Sequence, residues 1–272
     1  MKTENNAQSP LTLKEIMQYI QSGETKKELT ALRAADKMLD DEKNKSKFNS
    51  IINKMIAQGM VSSCVEYLVA FDRPTLQREA ASVLSCIAMY GESDQWKVVI
   101  EANAIPRMID LLSYPSRKLT LSITTALIRI ACVDPEARDT VLEYEIVEAI
   151  ISILRNANTS ISRQIHLIEL IEALCWDCEA TPPPFECIEP LIPVLTELLD
   201  HESRQVVIDA CMALSKITER KHLDAIKVAS VVAAGAVPKL LRVLGSDASA
   251  STREQAVECV GNLVDWWSTR QT

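Results

Sequence analysis

The chain has 272 residues, 47% of them apolar but only 4% aromatic, with six glycines and a formal net charge of −8. Leu, Ile, Val and Ala in that proportion suit close-packed helices and exclude a disordered chain. The acidic balance argues against nucleic acid as the main partner, because phosphate binding needs a basic face. No apolar run reaches the roughly 18 residues of a membrane helix, and the opening MKTENNAQSP lacks the apolar stretch of a secretory signal.

Residues 1–9 are polar and are expected to be disordered. Thr12-Leu13-Lys14-Glu15 then has the spacing of a capping box and predicts a helix start. Amphipathic segments follow at 25–41 and 46–57, and a long helical pattern runs through Gln77–Ala88. From there a repeat governs the chain. The triplets Cys86-Ile87-Ala88, Arg129-Ile130-Ala131, Ala173-Leu174-Cys175, Lys216-Ile217-Thr218 and Asn262-Leu263-Val264 place their central residue 43, 44, 43 and 46 residues apart. A second motif keeps the same phase: AIPRMIDLL at 104–112, IVEAIISIL at 146–154, PLIPVLTELL at 190–199 and AVPKLLRVL at 236–244. Pro106 and Pro238 fall in the first turn of a helix, where proline is tolerated. Helix breakers cluster at 72–75, 113–117, 156–160, 200–203 and 245–251. A period of 40–47 residues with two or three helices predicts an armadillo or HEAT array. The expected fold is all-α: residues 10–272 as a single armadillo-repeat solenoid of about six three-helix units.

Eight cysteines stand at 64, 86, 132, 175, 178, 187, 211 and 259, mostly within apolar patterns. In a reducing compartment such thiols act as small buried hydrophobes, and a nuclear and/or cytoplasmic location is expected. Cys175-Trp176-Asp177-Cys178 has CxxC spacing, but no thioredoxin-like strand-to-helix turn surrounds it, and Cys187 and His166 fit no zinc spacing. His166, His201 and His222 do not cluster. With no nucleophile–base order and no phosphate loop, neither catalysis nor a metal or cofactor is expected.

Several of these stretches resemble importin-α, the adaptor that carries cargo into the nucleus: QVVIDACMALSKIT at 205–218, SDQWKVVIEANAIP at 93–106, AVPKLLRVL with VECVGNLV, and LIEALC followed by PPPFECIEPLIPVLTELL. The similarity covers roughly residues 10–265 and follows the order of the family's first half. It implies a right-handed solenoid whose third helices line a concave groove. There the family carries a Trp and, four residues later, an Asn. The indoles grip lysine stems and the amides hold the backbone of a nuclear-localisation peptide.

Carried over position by position, the resemblance places Ser82 and Cys86, then Thr125 and Arg129, Glu169 and Ala173, Met212 and Lys216, and Glu258 and Asn262 at those sites. No Trp remains and only Asn262 survives of the amides. Where the family has a threonine beside a lysine pocket stands Trp96. A lysine on an indole is worth about 0.5–2 kcal/mol and an amide hydrogen bond about 1 kcal/mol. Losing three or four of each costs on the order of a thousandfold in affinity, and Arg129 and Lys216 repel a basic peptide.

The expected function is a non-enzymatic protein-interaction scaffold or adaptor that binds a protein or peptide in this groove without taking conventional basic signals. The alternative is an import adaptor that recruits basic cargo through acidic residues such as Asp134, Glu136, Asp177 and Glu179. Residues 1–12 hold one Lys and no Arg, unlike the family's basic importin-β-binding arm, so no direct importin-β binding is expected. Neither nucleic acid nor membrane is an expected partner. Trp266 and Trp267 follow the last helical pattern, either folded back as a cap or offered as an end interface for self-association.

Overall fold

The structure is a computed structural model that describes residues 11–41, 46–133, 135–176, 181–245 and 249–268. The expected disorder of residues 1–9, Cys178, and the acidic residues Asp134, Asp177 and Glu179 lie outside the described residues. The described elements are helices joined by short turns. Two helices open the chain, α1 (Leu13–Ile20) and α2 (Thr25–Asp40). Five helix triplets follow. They are α3 (Phe48–Ala57), α4 (Met60–Leu68) and α5 (Pro74–Tyr90); α6 (Ser93–Glu101), α7 (Ala104–Leu112) and α8 (Arg117–Ala131); α9 (Pro135–Leu142), α10 (Ile146–Leu154) and α11 (Ile161–Leu174). The last two are α12 (Phe185–Ile188), α13 (Leu191–Leu198) and α14 (Arg204–Ile217), and α15 (Ala225–Ala233), α16 (Ala236–Gly245) and α17 (Ala250–Ser268). Two triplets begin with a short or strongly bent pair: α12 has four residues, and α15 and α16 meet at a 70° bend. Among the described residues no single helix is long and apolar enough to cross a membrane.

Local chemistry sets the helix ends. At the start of α1 the Thr12 amide donates to Glu15 Oε2 at 2.8 Å and the Glu15 amide returns to Thr12 Oγ1 at 3.4 Å, the reciprocal box read from the sequence. Pro74 opens α5, Ser116 accepts the Leu119 amide before α8, and Asp224 accepts the Lys227 amide at 2.9 Å before α15. The turn from first to second helix passes through a left-handed residue in four triplets: Gly59 (φ 83°), Asn103 (φ 60°), Glu145 (φ 55°) and Gly235 (φ 76°). The fifth turn crosses Glu189 and Pro190 in right-handed conformation, because the proline ring forbids positive φ. Glycine meets the left-handed requirement without strain, whereas Glu145 bears it.

The chain divides into two compact units, Met1–Met108 and Ile109–Thr272. In the first, α5 packs on α2 and α4, and α3 packs on α4 and α6. The core there includes Leu32, Ala35, Leu39, Met55, Leu76, Leu84 and Ile87. In the second, the third helices pack in succession, α8 on α11, α11 on α14 and α14 on α17, while α10 backs α11, α13 backs α14 and α16 backs α17. Small and branched residues permit that stacking: Ala126, Leu127, Leu170, Ala210, Ala213 and Leu214 are fully buried. Arg138 on α9 is buried, and its guanidinium ties down the chain after α11 by donating to the carbonyls of Trp176 (3.1 Å) and Thr181 (2.8 Å). On α14 and its C-cap, Cys211 and Thr218, seven residues apart on one face, are fully buried. The corresponding residues of α17, Val257 and Val264, are 57% and 58% exposed.

Candidate functional site

Each third helix leaves one strip in contact with solvent beside its packed residues. On α14 the buried residues Val207, Ala210, Cys211 and Leu214 alternate with Gln205, Ile208, Met212 and Lys216, which keep solvent contact. That is the i, i+4 spacing of one helix face. The same register places Ser82 and Cys86 on α5, Thr125 and Arg129 on α8, Glu169 and Ala173 on α11, and Glu258 and Asn262 on α17. Arg129, Glu169 and Glu258 are exposed, six of the ten are partly buried, and Ala173 is buried. Ala173 therefore offers a floor rather than a reaching side chain.

Ser82 and Cys86 are already engaged. Ser82 Oγ donates to Asp36 Oδ1 of α2 at 2.8 Å, and Cys86 Sγ donates to the same oxygen at 3.3 Å. Burial first, then Asp36 and Asp40, push the Cys86 thiol far above its ordinary range. On α11 the exposed Glu169 meets His166 Nδ1 at 3.1 Å. One turn on, burial together with Asp209 and Glu169 raises Glu172 to about 8, and Lys216 works against that shift. Asp209 of α14 is itself buried, which raises it too; Gln205 donates to its Oδ1 at 2.7 Å. Lys216 also borders a small cleft with Cys175, His222 and Lys227.

Asp36, Glu172 and Asp209 are polar residues of the strip's floor that the reading by analogous positions did not single out. A signal was present for two of them: an acidic residue interrupts the apolar runs LIELIEAL and VVIDACMAL. Trp96 is 3% exposed on α6 and belongs to the core rather than to a pocket wall. Trp176, at the end of α11, is exposed, and so is Trp267; Trp266 is partly buried, its ring tilted against that of Trp267 at 6.4 Å. The two tryptophans thus divide between packing and exposure. Burial lifts the thiols of Cys64, Cys175 and Cys211 to about 12 and that of Cys259 to about 11, so they stay protonated as packing groups. Among the described residues no three His, Cys, Asp or Glu side chains are placed to hold a metal ion.

The repeat has counterparts among known proteins. A model of the armadillo/β-catenin-like repeat matches residues 227–265. Importin subunit alpha-3 of Arabidopsis thaliana is 32% identical over 272 residues, covering 97% of this chain and 48% of the relative. Importin subunit alpha-1b of Oryza sativa subsp. japonica is 32% identical over 259 residues, covering 92% of this chain and 44% of the relative. The chain belongs to the importin-α family. This importin-α-family chain spans about half the length of the curated relatives it matches. A designed armadillo repeat protein in complex with peptide (KR)4 shares the fold, with a TM-score of 0.76 at 22% identity over 93% of this chain and 100% of the other. An engineered protein of the same fold gives a TM-score of 0.77 at 22% identity over 94% and 99% of the two chains.

Proposed function

We propose that this importin-α-family chain is a non-enzymatic protein-binding scaffold that works between nucleus and cytoplasm and holds its ligand along the third-helix strip. One observation supports the reading above the rest. The residues behind the strip are packed as tightly as any core, with Leu127, Ala210, Ala213 and Leu214 fully buried. The strip itself mixes signs and sizes: Arg129 and Lys216 against Glu169 and Glu258, with Thr125, Met212 and Asn262 between them. Such a surface suits a segment that carries acidic and apolar groups, not a uniformly basic signal.

Affinity capture from native extract with the intact chain and with Arg129→Glu plus Lys216→Glu tests this. Proteins retained by the first and lost with the second support the strip. An unchanged set of partners counts against it. A conventional import role, with the strip taking Lys/Arg-rich signals, is the second reading; it is favoured if a simple basic signal peptide binds tightly in physiological salt.

A further proposal concerns α17. Val257, Val264 and Trp267 are each more than half exposed, on the helix that carries the last strip residues. This face is an end interface for self-association in the sense of an apolar patch. Trp267→Ala combined with Val264→Ser lowers the mass measured in solution if the face pairs two copies, and leaves it unchanged if it does not.

A further inference from the structure

The last turn of α14 and the first turn of α15 enclose a small cleft against the segment that follows α11. Lys216, one of the strip residues, stands on its border, and Lys227 of α15 forms part of its wall. Lys227 is only 7% exposed, and lysine is almost never that buried without a partner for its charge. Its Nζ donates to the His222 carbonyl at 2.9 Å and lies 5.8 Å from the centre of the Phe185 ring, so the fold fixes its position. An ammonium has three protons to donate, and among the described residues this one meets a single hydrogen-bond acceptor. No carboxylate of the described residues forms an ion pair with Lys227 or Lys216. Glu219 is the single acid on the lining among those residues, while Asp224 is engaged with the Lys227 amide at 2.9 Å and Glu172 feels Lys216 from α11. Pro183, Ile188 and Ile217 make the rest of the wall apolar, which strengthens any charge interaction inside. In a chain of net charge −8 this is a place where cations outnumber acids. A buried charge without a counter-charge is costly and is normally paired.

We propose that this cleft is a carboxylate subsite at the edge of the strip, in which Lys216 and Lys227 together receive one acidic group of the protein segment that lies along α14. The inference rests on the strip being a ligand surface, as proposed above, and names one chemical group that the ligand must bring. Lys216 joins the two places, since it is partly exposed on the strip and also borders the cleft. Lys227 supplies a charge whose position is already set, so little order is lost when an anion arrives. Size selects among anions. The cleft has room for about one water-sized group. The flat end of a carboxylate enters such a space, and a tetrahedral phosphate does not. Glu219 limits the subsite to a single acid, because a second carboxylate would face it without a further cation. The carboxylate comes from an Asp or Glu side chain or from a chain end, which share this chemistry.

The test uses the full chain at constant ionic strength and follows the lysine side-chain signals by carbon-13 NMR. Three probes are titrated: N-acetylglutamate α-amide, whose carboxylate is on the side chain; N-acetylalanine, whose carboxylate is a chain end; and inorganic phosphate. The expected result is a saturable shift of the Lys216 and Lys227 signals with at least one carboxylate, and the tighter of the two carboxylates identifies the source. Lys216→Gln, on the partly exposed border, is expected to weaken that midpoint by about fivefold. Lys227→Met would strike a buried position and disturb packing, so the second variant is Glu219→Gln. Removing the competing acid is expected to tighten the midpoint by about threefold, a gain that loss of folding does not mimic. Shifts that grow linearly and match those from added chloride overturn the subsite. So does phosphate binding more tightly than both carboxylates, or a midpoint indifferent to Lys216→Gln and Glu219→Gln alike. The strip is judged separately, by protein capture with Arg129→Glu alone. Partners lost with that variant keep the strip reading even if the carboxylates fail to bind. Partners unchanged, with the carboxylates saturating both lysines, remove the strip reading and leave the cleft as an anion site.

Discussion

The strip on α5 and the strip on α11 and α14 hold the same register in their repeats, yet they differ in how their charge is met. On α5 the hydroxyl of Ser82 and the thiol of Cys86 both donate to Asp36, so the acid is satisfied from within the fold. Between α11 and α14, Asp209 keeps a buried oxygen with no donor among the described residues, and burial together with Asp209 and Glu169 raises Glu172. Small donors satisfy a buried acid from within the fold; their absence leaves a buried carboxylate oxygen unmet among the described residues. The difference lies in two or three side chains, since the helices behind both are equally well packed.

The largest effect sets the scale for the comparison. Leu214→Ala, in the packed wall behind the strip, is expected to cost about 2–5 kcal/mol in urea unfolding. Thr125→Ala, on the strip itself, is expected to stay within about 0.5 kcal/mol. A strip substitution as costly as the wall substitution would show that the strip is core. Next comes pH. Burial, with Asp209 and Glu169, holds Glu172 in the folded protein above its ordinary value of 4.5, so the folded protein binds more protons than the unfolded chain between about 4.5 and 8. Stability is therefore full below that window and is lost as pH rises through it, by at most about 1.4 kcal/mol per pH unit for a single proton. Glu172→Gln should flatten the slope in unfolding midpoints measured from pH 5 to pH 9; a slope that survives the substitution assigns it elsewhere.

Smaller effects sharpen the contrast at α5. Asp36→Ala removes the acceptor shared by Ser82 and Cys86 and should cost about 1 kcal/mol. Because Asp36 helps to raise the Cys86 thiol, the same variant should be alkylated faster at Cys86; an unchanged rate would mean that burial alone protects it. Smallest is a gain. Glu145 sits at φ 55° where Gly59 and Gly235 occupy the matching turns, so Glu145→Gly should stabilise by about 1 kcal/mol, read as a higher Tm. No gain there would mean that local contacts of the glutamate offset its backbone strain.

Periodicity made the scaffold legible. The triplets ending at Ala88, Ala131, Cys175, Thr218 and Val264 locate the ends of four third helices and the last turns of the fifth, because close stacking demands small residues at fixed intervals. Thr12 and Glu15 showed the first helix start for the same reason, a local rule with a local outcome. The described residues form five helix triplets and an opening pair where about six triplets were expected: α1 and α2 supply two helices of a repeat, and α2 takes the place of a third helix by packing on α5. The polar floor of the strip was harder to read. That Asp36 would face Ser82, or Asp209 would approach Glu172, depends on packing between helices some 40 residues apart in the chain. Register fixes which face a residue occupies, and not which partner waits opposite.

The bare flank of α17 also matters for how the stack comes apart. Helices that each lean on the next open first at the least buried flank, and Val257 and Val264 of α17 are more than half exposed. Amides of α17 should exchange with solvent well before those of α14, and α14 is the very helix that carries Asp209. Because α17 packs directly on α14, a segment held along the strip should slow deuterium uptake in α17, and that change would register its arrival.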